Sequence, residues 1–222
     1  MATTTSHRAG GKCQKSRLSR TYEPWRRFRA FATYVIYAYI GVSTLKIFQV
    51  FGVMAGQLNY EDVGNLDAPS IVGLVVGLLN WFLQFASPIP IAMWIYRAHA
   101  NLAVMKCRDL KYSPGWAVGW YFIPIANLIE PFRAMRELWH RSHSLEPGTV
   151  RDAPEMAPWW GTFIAANTLS FITTFSSTRD RQELHGLLSL TLCIASAWRL
   201  LQIINKVTQA QSDLLSARHT FA

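Results

Sequence analysis

Charge is excluded from long blocks of this chain. Five windows, 30–54, 71–95, 112–129, 159–178 and 184–205, hold 110 of the 222 residues and only two charges, Lys46 and Arg199. The other 33 charges crowd into the remaining 112 residues. A soluble domain places charge at helical or strand spacing along every element, because each element shows one face to water. Block segregation instead matches elements surrounded by an apolar medium. It also excludes a disordered chain and a disulfide-rich secreted module. The fold class expected is all-α, a polytopic helical membrane protein.

A helix crossing the hydrocarbon core needs about 20 apolar residues. Windows 30–54, 71–95, 159–178 and 184–205 meet that length, the last if Arg199 snorkels or faces a neighbouring helix. The window 112–129, YSPGWAVGWYFIPIANLI, opens with Pro114-Gly115 and is interrupted by Pro124. Proline removes a backbone donor and clashes with the preceding turn, and in lipid the freed carbonyl needs a partner. The Asn127 amide, with two donors, is the partner expected. The segment therefore reads as re-entrant or as a short kinked fifth span.

Basic residues decide between these topologies. The stretch before residue 30 carries eight Lys/Arg and loop 96–111 carries four, whereas loop 55–70 has none beside Glu61, Asp62 and Asp67. The N-terminus and loop 96–111 are thus expected inside. A re-entrant 112–129 gives 18 basic residues inside against 2 outside, and a fifth span gives 14 against 6. The count favours four spans and a re-entrant segment, with both termini cytoplasmic. Residues 1–29 read as a basic disordered cytoplasmic tail in which Gly10-Gly11 interrupts any helix. Residues 30–207 read as the membrane domain and 208–222 as a C-terminal tail. An uncleaved first span is preferred to a cleaved targeting peptide.

Between the windows, 130–143 sets Phe132, Met135, Leu138 and Trp139 opposite Arg133, Arg136, Glu137 and His140. That spacing predicts an interfacial amphipathic helix, or a helix packed under the membrane domain. Arg97, Arg133, Arg136 and Trp139 are the candidate contacts for anionic lipid headgroups or a protein partner. Asn80, Pro124, Asn127 and Asn167 are candidates for a ligand or ion pocket, against the alternative that buried amides tie helices together. Three GxxxG pairs, Gly52/Gly56, Gly73/Gly77 and Gly115/Gly119, suit close helix packing. Ile89-Pro90-Ile91-Ala92 recurs as Ile123-Pro124-Ile125-Ala126, a short match to an internal repeat.

No zinc, haem or phosphate-loop spacing is present, so no metal and no cofactor is expected. The net charge of +9 comes from residues flanking the windows and not from one stripe, which argues for membrane orientation and against nucleic acid.

The run Ser113-Pro114-Gly115-Trp116-Ala117-Val118-Gly119-Trp120, then Ile123-Pro124-Ile125-Ala126-Asn127-Leu128, Pro131, Met135, Glu137 and Trp139, resembles one membrane family. So does the upstream Trp94-x-Tyr96-Arg97-Ala98-x-x-Asn101. The family is known as domain of unknown function forty-three twenty-eight, and the resemblance covers roughly 30–210. It implies a bacterial multi-span protein of the inner membrane and lends no activity, cofactor or substrate.

Three functions stay open from the residues. The first is a non-enzymatic scaffold or regulator with a basic amphipathic cytoplasmic face, binding lipid headgroups or a protein partner. The second is a small-solute or ion pathway at Pro124 and Asn127. The third is an interfacial enzyme using Glu130, Glu137 and His140.

Overall fold

The computed structural model describes the backbone of residues 6–56, 68–104, 110–143, 153–175 and 178–220. Glu61, Asp62, Asp67 and Cys107 lie outside the described residues. The elements are α1 (Ser6–Met54), α2 (Ala68–Ala86), α3 (Pro88–Val104), α4 (Pro114–Gly119), two 3-10 turns (Trp120–Phe122 and Ala126–Leu128), α5 (Glu130–His143), α6 (Met156–Thr174) and α7 (Arg179–Thr220). No strand occurs among the described residues. Among the described residues three stretches are long and apolar enough to cross a membrane: Arg27–Met54, Ala68–Ala103 and Arg181–Leu214. The second reads through the turn at Ser87, whose N–H still donates to the Leu83 carbonyl at 2.9 Å. With 19 residues α6 is also long enough, but Pro158, Asn167 and its hydroxyl residues dilute its apolar content, and it is not among the three.

The chain packs as two compact units. One combines Thr33–Pro90 with Pro154–Ile203, and the other combines Met1–Ala32, Ile91–Ala153 and Ile204–Ala222. In the first unit, small polar residues join helices in pairs. Tyr39 Oη donates to Gln84 Oε1 and Asn80 Nδ2 donates to Ser43 Oγ, both at 2.8 Å. A side-chain atom at Gly77 would stand 3.7 Å from Lys46 Nζ. These three contacts run in opposite senses along α1 and α2, so the helices are antiparallel, with the Lys46 ammonium beside Gly77. On α6 and α7, Ser189 Oγ donates to the Ala166 carbonyl at 3.0 Å and Ser196 Oγ to the Trp159 carbonyl at 3.3 Å. The outer faces carry large apolar side chains, including Phe48, Leu78, Phe82 and Phe171, all exposed. A surface of that kind suits lipid and is unstable in water.

The second unit has a different core. α3 turns Trp94, Ala98, Asn101 and Leu102 inward at i, i+4, i+7 and i+8. α5 contributes Ala134, Met135, Leu138, Trp139 and Ser142, and α7 contributes Ile204, Val207, Thr208 and Gln211. At the centre the fully buried Gln211 Nε2 donates to the Ala98 carbonyl at 3.1 Å and to Ser142 Oγ at 2.9 Å. Its Oε1 accepts from Asn101 Nδ2 at 3.3 Å. Three helices far apart in sequence are thereby held by one side chain.

The ends of the long helices depart from expectation. Residues 6–29 are helical and not a disordered tail, because α1 is continuous from Ser6. Two glycines cost about 1 kcal/mol each in a helix interior, a penalty the neighbouring helix-forming residues and a long apolar continuation outweigh. Residues 208–220 are helical too, since the buried stripe Leu200, Ile204, Val207 and Gln211 keeps its period past residue 207. The expected loop 96–111 is α3 as far as Val104. Gly56, with φ of 68°, terminates α1, and its N–H donates to the Val53 carbonyl, so Gly52/Gly56 marks a helix end and not a packing face. The two Ile-Pro-Ile-Ala copies differ: the first opens α3, whereas the second is the bend between the 3-10 turns, so they are not a structural repeat.

Replacing Gln211 by Leu strands the Ser142 hydroxyl, the Asn101 amide and the Ala98 carbonyl in a buried core. The expected loss is about 1–3 kcal/mol, read as a lower thermal midpoint by circular dichroism in detergent. Ser212→Ala, which removes only a bond to the Gln209 carbonyl of its own helix, should leave the midpoint unchanged.

Candidate functional site

The motif of residues 112–139 builds one continuous structure within the second unit. Ser113 caps α4, its Oγ accepting from the Trp116 N–H at 3.4 Å, and Pro114 occupies the first turn, where its missing donor does no harm. α4 lasts six residues. Pro124 has no N–H to offer the Trp120 carbonyl, and the Ile123 N–H takes that carbonyl instead at 3.4 Å, tightening the chain into a 3-10 turn. The backbone N–H of Asn127 then bonds the Ile123 carbonyl at 2.7 Å. The break is thus satisfied by the backbone, and the Asn127 side chain is not the partner of the freed carbonyl. Its Oδ1 and the Trp120 Nε1 are buried without a partner among the described residues.

α5 closes the structure. Glu137 accepts the Lys111 N–H at 2.7 Å and the Tyr112 N–H at 3.0 Å, one on each carboxylate oxygen. The Tyr112 hydroxyl donates to Glu130 Oε2 at 2.5 Å, and Arg133 Nη1 bonds Glu130 Oε1 at 2.8 Å. Arg133 therefore pairs with Glu130, one turn back, and not with Glu137 one turn ahead. These bonds bring the chain back at Glu130 and Glu137 to where it left at Lys111 and Tyr112. The Tyr112 hydroxyl and then Arg133 hold the Glu130 carboxyl below the usual carboxylate range. Burial and the facing Glu130 push the Tyr112 phenol up to about 12. Both carboxylates are thereby committed to holding the segment together.

The bracketed segment encloses an open groove of about 770 Å³. Its walls are Trp116, Trp120, Ile123, Ile125, Ala126 and Ile129, with Lys111, Tyr112, Ser113 and Glu130 at the polar side. The Trp116 and Trp120 rings lie 5.0 Å apart on successive turns, and a side chain at Gly119 would meet the Trp116 ring at 3.4 Å. Gly119 thus lies against the Trp116 ring, whereas Gly115 faces open space. Phe122 and Ile125 protrude, 80% and 83% exposed.

The expected ligand-pocket residues do not converge. Pro124 and Asn127 stand beside this groove, in the second unit. Asn80 and Asn167 belong to the first, where Asn80 ties α2 to α1 and Asn167 donates to the Phe163 carbonyl of its own helix at 2.7 Å. Among the expected lipid contacts, Arg133 is 56% exposed and Arg97 and Arg136 are exposed, with Arg97 lying over the Phe28 ring at 5.3 Å. Trp139 overturns its expectation. It is only 5% exposed, stacked on His143, with Lys206 Nζ 6.0 Å from its ring centre. α5 has the expected limits and amphipathic pattern, but its apolar face fills the protein core and is not laid against headgroups. Sequence reasoning missed Gln211, Ser142 and the bracketing role of Glu137. The unbroken period of α7 was the available sign for Gln211. Among the described residues no three His, Cys, Asp or Glu side chains are placed to hold a metal ion.

Glu137→Ala should cost about 1–3 kcal/mol by stranding two backbone donors, whereas Glu137→Gln keeps one acceptor and loses less. For Tyr112→Phe the effect depends on pH. Because the folded Glu130 carboxyl is lowered, its contribution is full above the ordinary carboxylate range and vanishes as pH falls through the lowered value. Unfolding scans should show wild type more stable than Tyr112→Phe at neutral pH, with the gap closing in acid.

Neither a curated protein nor a solved structure matches the chain. Residues 61–211 match the family described as Domain of unknown function (DUF4328), covering α2 through most of α7 and with them the capped, broken and bracketed segment. The chain belongs to the DUF4328 family.

Proposed function

We propose that this chain is a non-enzymatic scaffold of the bacterial inner membrane. It crosses four times, over 30–54, 71–95, 159–178 and 184–205, while 112–129 enters and leaves at the cytoplasmic face, where both termini also lie. The carrying observation is the Gln211 amide, bonded at once to Ala98 before the broken segment and to Ser142 after it. A segment that crossed a core about 30 Å thick would part those residues. The Glu137 bracket onto Lys111 and Tyr112 supports the same return. So does the distribution of basic residues, 18 against 2 in this topology.

The working surface in this reading is the outer side of α5 and its surroundings. Arg133, Arg136 and Arg97 are exposed over a buried core tied by the Gln211 hydrogen bonds. Cations held on a rigid support attract acidic partners and anionic headgroups without catalysing anything. The commitment of Glu130 and Glu137 to structural bonds speaks for a scaffold over an interfacial enzyme. The bond from Asn80 on α2 to Ser43 on α1 speaks for a helix tie over a solute path.

Single cysteines at Ser144 and Ser212, with Cys13, Cys107 and Cys193 replaced by Ser, should react with an impermeant maleimide only after permeabilisation. Reaction at both sites in intact cells would mean five spans and would defeat the proposal. Neutralising Arg133 and Arg136 should abolish partner cross-links formed from a photo-reactive side chain at Arg141, and Asn127→Ala should leave them intact. Loss of solute flux in folded Asn127→Ala would instead assign a pathway.

A further inference from the structure

The groove between α4 and the second 3-10 turn combines two chemistries. Its apolar lining combines the paired rings of Trp116 and Trp120 with Ile123, Ile125 and Ile129. Its polar lining includes Lys111 and Ser113. Glu130 also lines it, but that carboxylate is already satisfied by Tyr112 and Arg133. Of the lining residues Lys111 carries the positive charge, its Nζ lying 5.4 Å from the centre of the Tyr112 ring. The protruding Phe122 and Ile125 continue the apolar wall outward, so the groove opens where an apolar medium suits its rim. Its volume of about 770 Å³ lies in the range of small-molecule sites.

We propose that this groove holds one anionic phospholipid, with an acyl chain between the paired indoles and the isoleucines and the phosphate on Lys111 and Ser113. Charge complementarity selects the occupant. A neutral hydrocarbon leaves Lys111 unused, and a soluble anion leaves the apolar wall uncovered. The Lys111 backbone is fixed by Glu137, which accepts its N–H at 2.7 Å, and its ammonium lies over the Tyr112 ring, another lining residue of the groove. The inference rests on the re-entrant reading of 112–129, which puts the groove at headgroup depth.

The test is native mass spectrometry of the full-length protein in detergent with equal phosphatidylglycerol and phosphatidylcholine. Wild type should retain one phosphatidylglycerol per chain in preference to phosphatidylcholine. Lys111→Gln, which keeps the backbone bond to Glu137, should reduce that preference about five-fold. Trp116→Ala and Ile125→Ser, both at exposed positions, should weaken retention of both lipids alike. Equal retention of the two lipids by wild type, an unchanged preference in Lys111→Gln, or displacement by millimolar inorganic phosphate would overturn the site. A nitroxide on Ile125→Cys separates the two layers of the argument. A bilayer-buried label with no lipid preference defeats the site alone, and a water-exposed label defeats the re-entrant reading beneath it.

Discussion

A primary amide buried without partners costs more than most single contacts contribute, so wherever one lies in a dry core the surrounding backbone must be arranged to receive it. Gln211 imposes that condition here. Its two ends take an α3 carbonyl, an α3 amide and an α5 hydroxyl, and none of these can move away without stranding the others. The apolar side chains around it, Trp94, Leu102, Met135 and Ile204, are equally buried, but hydrophobic contact alone tolerates sliding and rotation. The hydrogen bonds fix which turn of α7 faces which turn of α3 and α5.

The broken segment between α3 and α5 follows from that constraint. Once both flanks are pinned, the intervening chain must leave and return, and its residues suit a short excursion. Ser113 and Pro114 start a helix, Pro124 stops it, and the 3-10 turn recovers the freed carbonyl. Glu137 then binds the two N–H groups at the entrance. Short helical pieces with satisfied ends can present apolar surface to a bilayer without exposing unpaired backbone. The outward Phe122 and Ile125 fit that use better than exposure to water.

Much of this was legible in the sequence, for identifiable reasons. Charge segregation reports the medium around a helix, so the apolar stretches of α1, α2 and α7 were visible directly. The limits of α5 were visible because its amphipathic period begins at Glu130-Pro131 and ends with a basic last turn. Proline chemistry located the bend at Pro124. What could not be read was partnership. Whether Trp139 faces headgroups or a core, whether Asn80 serves a ligand or Ser43, and whether Glu137 pairs with Arg133 or with distant backbone all depend on residues tens of positions away. The outer turns of α1 and α7 depend on continuity with the apolar stretches, which composition and two glycines do not report. The Gln211 stripe shows that a buried face can extend past the last apolar window.

In the proposed topology the chain on either side of the broken segment lies at one membrane face, joined through the last helix. Cysteines at Ser142 and Gln211, whose side chains touch at 2.9 Å, test it directly in native membranes after removal of the natural thiols. A short bifunctional methanethiosulfonate, which spans the length that glutamine loses, should join them within one chain, seen as a compact, reducible species whose yield does not depend on expression level. Failure to cross-link, with the two positions reacting from opposite sides of the membrane, would contradict the account.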